Sequence, residues 1–391
     1  MNRPGLLLYC QHSLGLGHAV RSVALAAALT ERFRVVLVCG CEVPPGFTPH
    51  DEVDLVALPA LHASKDGDLA SREAGPLGGT RRRRRELLLE TLRSLRPAVV
   101  VVELFPFGRR RFADELVPLL EVTLAARPRP LVVSSVRDIL VGRGHDQHAH
   151  DTLACVLANR YLDAILVHSD PRFARLEESF RPTIPLRVSV RHTGFVVSGE
   201  GKPPRSIARE PRVVVSAGGG RVGEPLLRAA LDARHLLPEE LRLEIVAGPL
   251  FPEDKWNELR KVARRVPGVE LHRFVPDLGE RLRSASASVS QCGYNTVLEV
   301  LQSRVPALVV PFADDREDEQ TRRANRLKRL GAVRTLDPGR LEPATLADAI
   351  GAVLRFRPRP LDLDLDGARA SATMLDELVG DTLGTEAAAV G

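Results

Sequence analysis

The chain reads as an α/β protein made of two Rossmann-like halves, each a doubly wound parallel sheet. Three observations carry that expectation. Short, near-continuous apolar runs alternate with longer amphipathic stretches, the pattern of buried parallel strands joined by helices. The alternation stops once, in a polar segment over 197–211 (VSGEGKPPRSIAREP), and then restarts. Each half opens on a strand that runs straight into a glycine cluster.

In the first half, strands are expected over 6–10, 35–38, 53–58, 98–102, 131–134 and 164–168, with helices over 18–30, 85–95, 112–126 and 151–161. In the second half, strands are expected over 213–216, 242–246, 287–290 and 307–310. Helices there are expected over 224–233, 253–265, 295–302, 322–330 and 343–354. This places an N-terminal domain at 1–197, a linker at 198–210 and a C-terminal domain at 211–360. The segment 361–391 adds a helix near 368–378 and a small-residue tail expected to fray. The arginine run at 81–85, with its glycine-rich lead, reads as an exposed loop entering a helix. Two such halves are expected to hold a ligand in the cleft between them.

Composition narrows the function. A chain of 391 residues is long enough for two or three domains and for a core without staples. Of 55 basic residues five are Lys, and 50 acidic residues leave a net charge of +5. With 4% aromatics there is little to stack on bases, so a nucleic-acid partner is not expected. Arginine does suit anionic ligands such as phosphates. The five cysteines, at 10, 39, 41, 155 and 292, form no C-x-x-C pair and fit a reducing cytoplasm. The N-terminus lacks the features of a signal peptide, and no apolar run reaches the roughly 20 residues of a membrane span. Peripheral membrane contact and oligomeric state stay open.

Three motifs carry chemistry. The first runs from Gly15 through Gly17 and His18 to Arg21. Its glycines allow a tight turn and close approach to a ligand, although Val20 breaks the dinucleotide fingerprint. His18 at the helix start has suitable basicity to take a proton from a hydroxyl. The second is Ser216 to Gly223, with glycines at 218, 219, 220 and 223 and an arginine at 221. It supplies amide donors for an anion but lacks the Lys-Ser/Thr of a P-loop. The third is Gln291-Cys292-Gly293-Tyr294-Asn295-Thr296, then Glu299, Pro306, Pro311, Glu319 and Gln320. Asn295 and Thr296 offer polar groups at a helix N-terminus, where phosphate is favoured. Glu299, four residues on from Asn295, is placed to reach a vicinal diol beyond it.

The run from Gln291 to Glu299 resembles the donor-binding motif of nucleotide-sugar glycosyltransferases of the GT-B fold, written H-C-G-W-N-S-x-x-E. Here Gln291, Tyr294 and Thr296 replace His, Trp and Ser. The Gly15–Arg21 motif resembles the N-terminal glycine loop of glycosyltransferase family 28, which includes the peptidoglycan N-acetylglucosaminyltransferase. A narrower resemblance, to bacterial predicted glycosyltransferases of unassigned substrate, rests on ELFPFG (103–108), VRDIL (136–140), HSDP (168–171), TGF (193–195) and GYNT (293–296).

The resemblance implies GT-B architecture, two Rossmann-like domains facing across a cleft. It implies an inverting transferase without a catalytic metal or resident cofactor, and a nucleotide-diphosphate sugar, first of all a UDP-sugar, as substrate. Gly219, Gly220, Arg221, Asn295 and Thr296 would hold the diphosphate. Glu299 would hold the ribose, Glu319 and Gln320 the sugar, and Phe274 and Val275 the base. Gln291 and Gly293 complete the donor side, although Gln291 lacks the charge of the usual His.

On the acceptor side we expect Gly15, Gly17, Glu103 and Arg137. His18 is the expected base, oriented by Asp138 as an Asp–His pair, with Glu103 the other candidate base. The His/Asp cluster His145, His148, His150 and Asp151 reads as an acceptor-side loop rather than a metal site. Two rival readings share the fold: a sugar-nucleotide 2-epimerase and a non-catalytic nucleotide-sugar-binding protein. The nucleotide base, the sugar and the acceptor are not encoded in any motif we find.

Overall fold

A computed structural model describes residues 3–11, 17–40, 49–63, 69–71, 76–142, 146–197, 208–312 and 318–390. The side chains at 62, 63, 69 and 382–390 are outside the description. The chain divides into two compact units, one of residues 1–199 and 363–391, the other of 200–362.

The first unit holds strands β1 (Gly5–Cys10), β2 (Arg34–Cys39), β3 (Val53–Ala57), β4 (Leu61–Ala63), β5 (Leu69–Ser71), β6 (Val99–Glu103), β7 (Leu131–Arg137), β8 (Ala164–His168) and β9 (Ser189–His192). Seven of them form a parallel sheet in the order β3-β2-β1-β6-β7-β8-β9, while β4 and β5 pair as a separate antiparallel ribbon. The order reverses between β1 and β6, whose C-terminal ends therefore flank the switch point where ligands of such sheets bind. Both faces are covered. Leu7 and Tyr9 of β1 face helices α2 (Leu77–Leu95), α3 (Ala113–Ala125) and α4 (Gln147–Tyr161). Leu6, Leu8 and Cys10 face α1 (Gly17–Leu29) and a helix from the chain's far end.

The second unit holds β10 (Glu210–Ser216), β11 (Arg242–Val246), β12 (Val269–His272), β13 (Ala285–Ser290), β14 (Ala307–Val309) and β15 (Arg334–Thr335). They form one parallel sheet in the order β12-β11-β10-β13-β14-β15, with its switch point between β10 and β13. Its helices are α5 (Glu224–Ala233), α6 (Glu253–Ala263), α7 (Leu278–Ser284), α8 (Tyr294–Ser303), α9 (Glu319–Arg329) and α10 (Pro343–Leu354). The final helix, α11 (Gly367–Val390), returns to the first unit and buries Ala372, Leu375 and Val379 against its sheet. Two short motifs receive it. Asp170 accepts from the Asp364 amide at 3.0 Å, and Phe195 exchanges backbone hydrogen bonds with Asp364 and Gly367. Gly194, at φ +84°, leaves no room for a side chain, because a Cβ there would lie 2.5 Å from the Asp364 carboxylate.

One expectation is overturned. The arginines at 81–85 are not a loop; they lie inside α2, and Arg84 is fully buried. Its guanidinium donates to both carboxylate oxygens of Glu115 at 2.7 and 2.8 Å, to the Pro59 carbonyl at 2.7 Å and to Gln11 at 2.6 Å. A charge run in sequence cannot reveal a partner on the next helix, and that partner is what lets the charge enter the core.

Candidate functional site

In the first unit the site grows from the pairing of β1 with β6, in which Tyr9 stands beside Val102. β6 then ends on Glu103, and α1 starts after β1 with His18 as its second residue. The two side chains meet, with His18 Nδ1 2.6 Å from Glu103 Oε1. Arg21, one turn further along α1, donates to the same oxygen. Glu103 is fully buried, whereas 12% of the His18 side chain remains accessible.

Burial pulls the imidazole down to about 3, against the pull of the Glu103 charge. Burial alone would raise the Glu103 carboxyl, but His18, Arg21 and Arg109 beside it hold it below the usual carboxylate range. The pair is therefore a neutral imidazole on an ionised carboxylate. Nδ1–H donates to Glu103, and Nε2 keeps its lone pair for an incoming proton. The carboxylate on His18 is thus Glu103 rather than Asp138. The reason is topological: Glu103 ends the strand next to β1, whereas Asp138 follows β7, one strand further out. Asp138 is buried and Arg137 half-buried at the end of β7.

A second buried histidine, His168 at the end of β8, is held by Ser135 Oγ at 2.8 Å and Thr193 Oγ1 at 2.9 Å. Desolvation, with Arg21 adding to it, lowers its pKa to about 3. Gly17 is exposed at the start of α1, and Gly15 lies outside the described residues.

In the second unit, three segments converge at the C-terminal ends of the strands. The glycine loop after β10 turns through Gly218 at φ +59° and Gly220 at φ +90°. Gly220 packs against the next loop so closely that a Cβ would lie 2.6 Å from the Ala247 carbonyl. The loop also lies against the N-terminus of α8, since a Cβ on Gly218 would sit 3.2 Å from Thr296 Oγ1. Arg221 is exposed on this loop and has no hydrogen bond or ion pair among the described residues.

Gln291 donates to the Val222 carbonyl at 3.2 Å, so its amide braces the glycine loop. Gln320 braces the start of α8, its Oε1 accepting from the Cys292 and Phe312 amides at 2.9 and 3.1 Å. Glu319 is buried beside it at the start of α9. Val275 is buried and Phe274 half-buried after β12. Asn295 is half-buried and Thr296 buried in the first turn of α8, whose N-cap is Gly293.

Glu299 stands apart. It is half-buried in α8, one turn beyond Asn295, with no hydrogen bond or ion pair among the described residues. Desolvation raises its pKa to about 7. A polar group so placed is stabilised by hydroxyl donors, which the described residues do not supply.

Comparison with known proteins finds a matching family model and similar proteins. The glycosyltransferase family 28 C-terminal domain matches residues 213–372. A protein of Methylorubrum populi, named UDP-N-acetylglucosamine–N-acetylmuramyl-(pentapeptide) pyrophosphoryl-undecaprenol N-acetylglucosamine transferase, is 27% identical over 347 residues. That match covers 88% of this chain and 86% of that protein. The chain is a family 28-like glycosyltransferase. A Rhodospirillum rubrum protein of the same name is 29% identical to it over 231 residues, 58% of this chain and 57% of that protein. The calicheamicin glycosyltransferase CalG4 superposes with a TM-score of 0.57 at 20% identity, over 98% of this chain and 95% of that one. The glycosyltransferase therefore has the GT-B fold.

Several residues of the enzyme's site escape sequence reasoning. Arg323 of α9 is buried, donates to the Cys292 carbonyl at 2.7 Å and stacks 6.0 Å from the Tyr294 ring centroid. Gly248, at φ +99°, pairs with Gly220 in the tight loop contact. A glycine two residues beyond the strand expected over 242–246 was the available signal for it; nothing in the sequence singles out Arg323. In the histidine cluster, Asp151 accepts from Gln147 at 2.7 Å and from the Arg181 amide at 2.8 Å. His148 Nδ1 meets the Arg181 carbonyl at 3.0 Å, and His150 is buried. These contacts tie α4 to the segment near 181, and His145 lies outside the described residues.

No helix among the described residues is long and apolar enough to cross a membrane.

Proposed function

We propose that this glycosyltransferase moves a sugar from a nucleoside-diphosphate donor, a UDP-sugar first of all, to an acceptor hydroxyl with inversion. The observation that carries the proposal is the desolvated Glu299 carboxylate, without a partner among the described residues, one turn beyond the Asn295–Thr296 helix end. Phosphates at the helix N-terminus and the glycine loop would leave the adjoining ribose hydroxyls to Glu299. Arg221, free in the described structure, supplies a cation for the leaving diphosphate. That set of donors supports departure without a catalytic metal. The Gln320 amide nitrogen and Glu319 would hold hydroxyls of the sugar. Phe274 and Val275 would pack on the base.

His18 Nε2 takes the acceptor proton as the hydroxyl oxygen bonds to the anomeric carbon and the diphosphate leaves. Glu103 steadies the imidazolium so formed, as the carboxylate does in a catalytic triad. The Methylorubrum and Rhodospirillum proteins are named for UDP-N-acetylglucosamine, which makes that donor the first to test. The test is a thermal-shift panel of UDP-, dTDP- and GDP-sugars. At least one UDP-sugar should stabilise the protein by several degrees. Stabilisation by none would overturn the proposal.

A further inference from the structure

A row of buried polar side chains crosses the first unit's sheet on a face whose inner layers are apolar. That face, covered by α1 and α11, is lined by Val99 and Val101 of β6, Leu131 and Val133 of β7, and Ala164 and Leu166 of β8. Alternation along each strand puts Glu103, Ser135 and His168 on the same face, at the strands' C-terminal ends. Thr193, directly after β9, carries the row to the sheet's edge. All four are buried. Apolar residues would fill this layer without desolvating hydroxyls and an imidazole, and a fully bonded polar network in their place fixes a geometry.

The outer end of the row is anchored. The Thr193 amide donates to the Val167 carbonyl at 3.0 Å, and its hydroxyl donates to the Gly194 carbonyl at 2.9 Å. Thr193 Oγ1 therefore accepts from His168 Nδ1–H, which leaves Nε2 to accept from the Ser135 hydroxyl. Burial, with Arg21 adding to it, keeps this ring neutral. The inner end of the row is the turn that follows Glu103. Ser135 is the register partner of Glu103 across β6 and β7, and its carbonyl accepts from the Leu104 amide at 2.9 Å. Ser134 Oγ donates to the Phe105 carbonyl at 2.8 Å. Leu104 needs this clamp, because its φ of +62° is left-handed backbone that a leucine seldom adopts. Relaxation of the turn would move the end of β6 and draw the Glu103 carboxylate away from His18.

We propose that His168 is a positioning residue for the base pair, holding Glu103 against His18 through Ser135 and the Leu104 turn. It acts through Ser135 rather than on the reacting atoms, from two strands beyond β6. This rests on the reading of His18 as the base.

The test uses the full chain and two readouts. One is UDP release from UDP-N-acetylglucosamine with water as the acceptor. The other is the proton on His18 Nδ1, observed by NMR and identified by its loss in His18→Gln. His168→Leu should lower kcat about 10- to 100-fold, the scale of a misplacement of about 1 Å, with KM for the donor unchanged, and should shift the proton. His168→Gln, which keeps a donor and an acceptor, should retain more of both. Ser135→Ala should match His168→Leu, and the double variant should fall no further, because the two side chains act as one link. Ser135→Ala removes a hydroxyl only, so it carries the test if His168→Leu does not fold. Lower stability in urea with kcat and the proton signal unchanged would overturn the proposal, and so would additive losses in the double variant. If the wild type releases no UDP, the transfer reading fails, and the proton signal alone decides the role of His168.

Discussion

Glu299→Gln should make the unliganded enzyme more stable and its donor complex weaker. The carboxyl ordinarily titrates at 4.5 and is raised to about 7 in the folded chain, through desolvation. Below pH 4.5 both folded and unfolded states hold the proton, and the group contributes nothing. Between 4.5 and 7 the unfolded chain ionises while the folded one does not, so stability falls as pH rises. Above 7 the folded state carries the charge at full cost, about 3 kcal/mol for a shift of this size. The amide has the same shape and no charge. Urea unfolding at pH 8 should therefore show the variant more stable by up to about 3 kcal/mol, and the two proteins equal at pH 4. Donor binding should move the other way. An ionised carboxylate accepting from hydroxyls contributes about 1.5–3 kcal/mol per bond, so titration calorimetry should show roughly 10- to 100-fold weaker binding of UDP-N-acetylglucosamine. In the wild type, affinity should also rise as pH passes 7; in the variant it should stay flat. A variant that is less stable at pH 8, or that binds the donor as before, would refute the argument.

Three further outcomes are expected. His18→Ala and Glu103→Gln should each lower turnover by about 10²- to 10⁴-fold, the usual worth of a positioned base, with donor stabilisation intact; full activity in His18→Ala would remove the base assignment. His18 and His168 are held near 3 against an ordinary 6.5, so the stability they contribute is present above pH 6.5 and lost as pH falls toward 3. Comparing wild type with His168→Gln in urea cancels the opposite Glu299 contribution and should show a difference growing by roughly 1.4 kcal/mol per pH unit below 6.5; a flat difference would count against a neutral buried His168. Arg84→Met should cost about 3–5 kcal/mol by stranding Glu115 in the core, and adding Glu115→Leu should recover most of it; additive losses in the double variant would contradict that account.

The central strands were legible because burial on both faces leaves a continuous apolar run, as in Val99 to Val102. The edge strands β9, β12 and β15 were not, since they are short and half-exposed and carry mixed residues such as Arg191 and Glu270. The return of α11 to the first unit was hidden as well. Its anchors, Asp170 and Gly194, stand out only once the hydrogen bond to Asp364 and the close approach of its carboxylate are seen. At the site, glycine loops and helix ends announce themselves by local spacing, so Gly220 and Thr296 could be placed in advance. Pairings between distant strands do not. Glu103 rather than Asp138 meets His18 because of sheet order, and Gln291 and Gln320 spend amide groups on backbone that sequence reasoning had reserved for the donor.

The central claim is transfer from a nucleotide sugar with inversion, and the anomeric proton reports it directly. Incubating the enzyme at high concentration with UDP-N-acetylglucosamine, whose sugar is α-linked, lets water stand in for the acceptor. Proton NMR should show β-N-acetylglucosamine appearing first, together with UDP, and His18→Ala should abolish both. Initial release of the α-anomer would contradict the account.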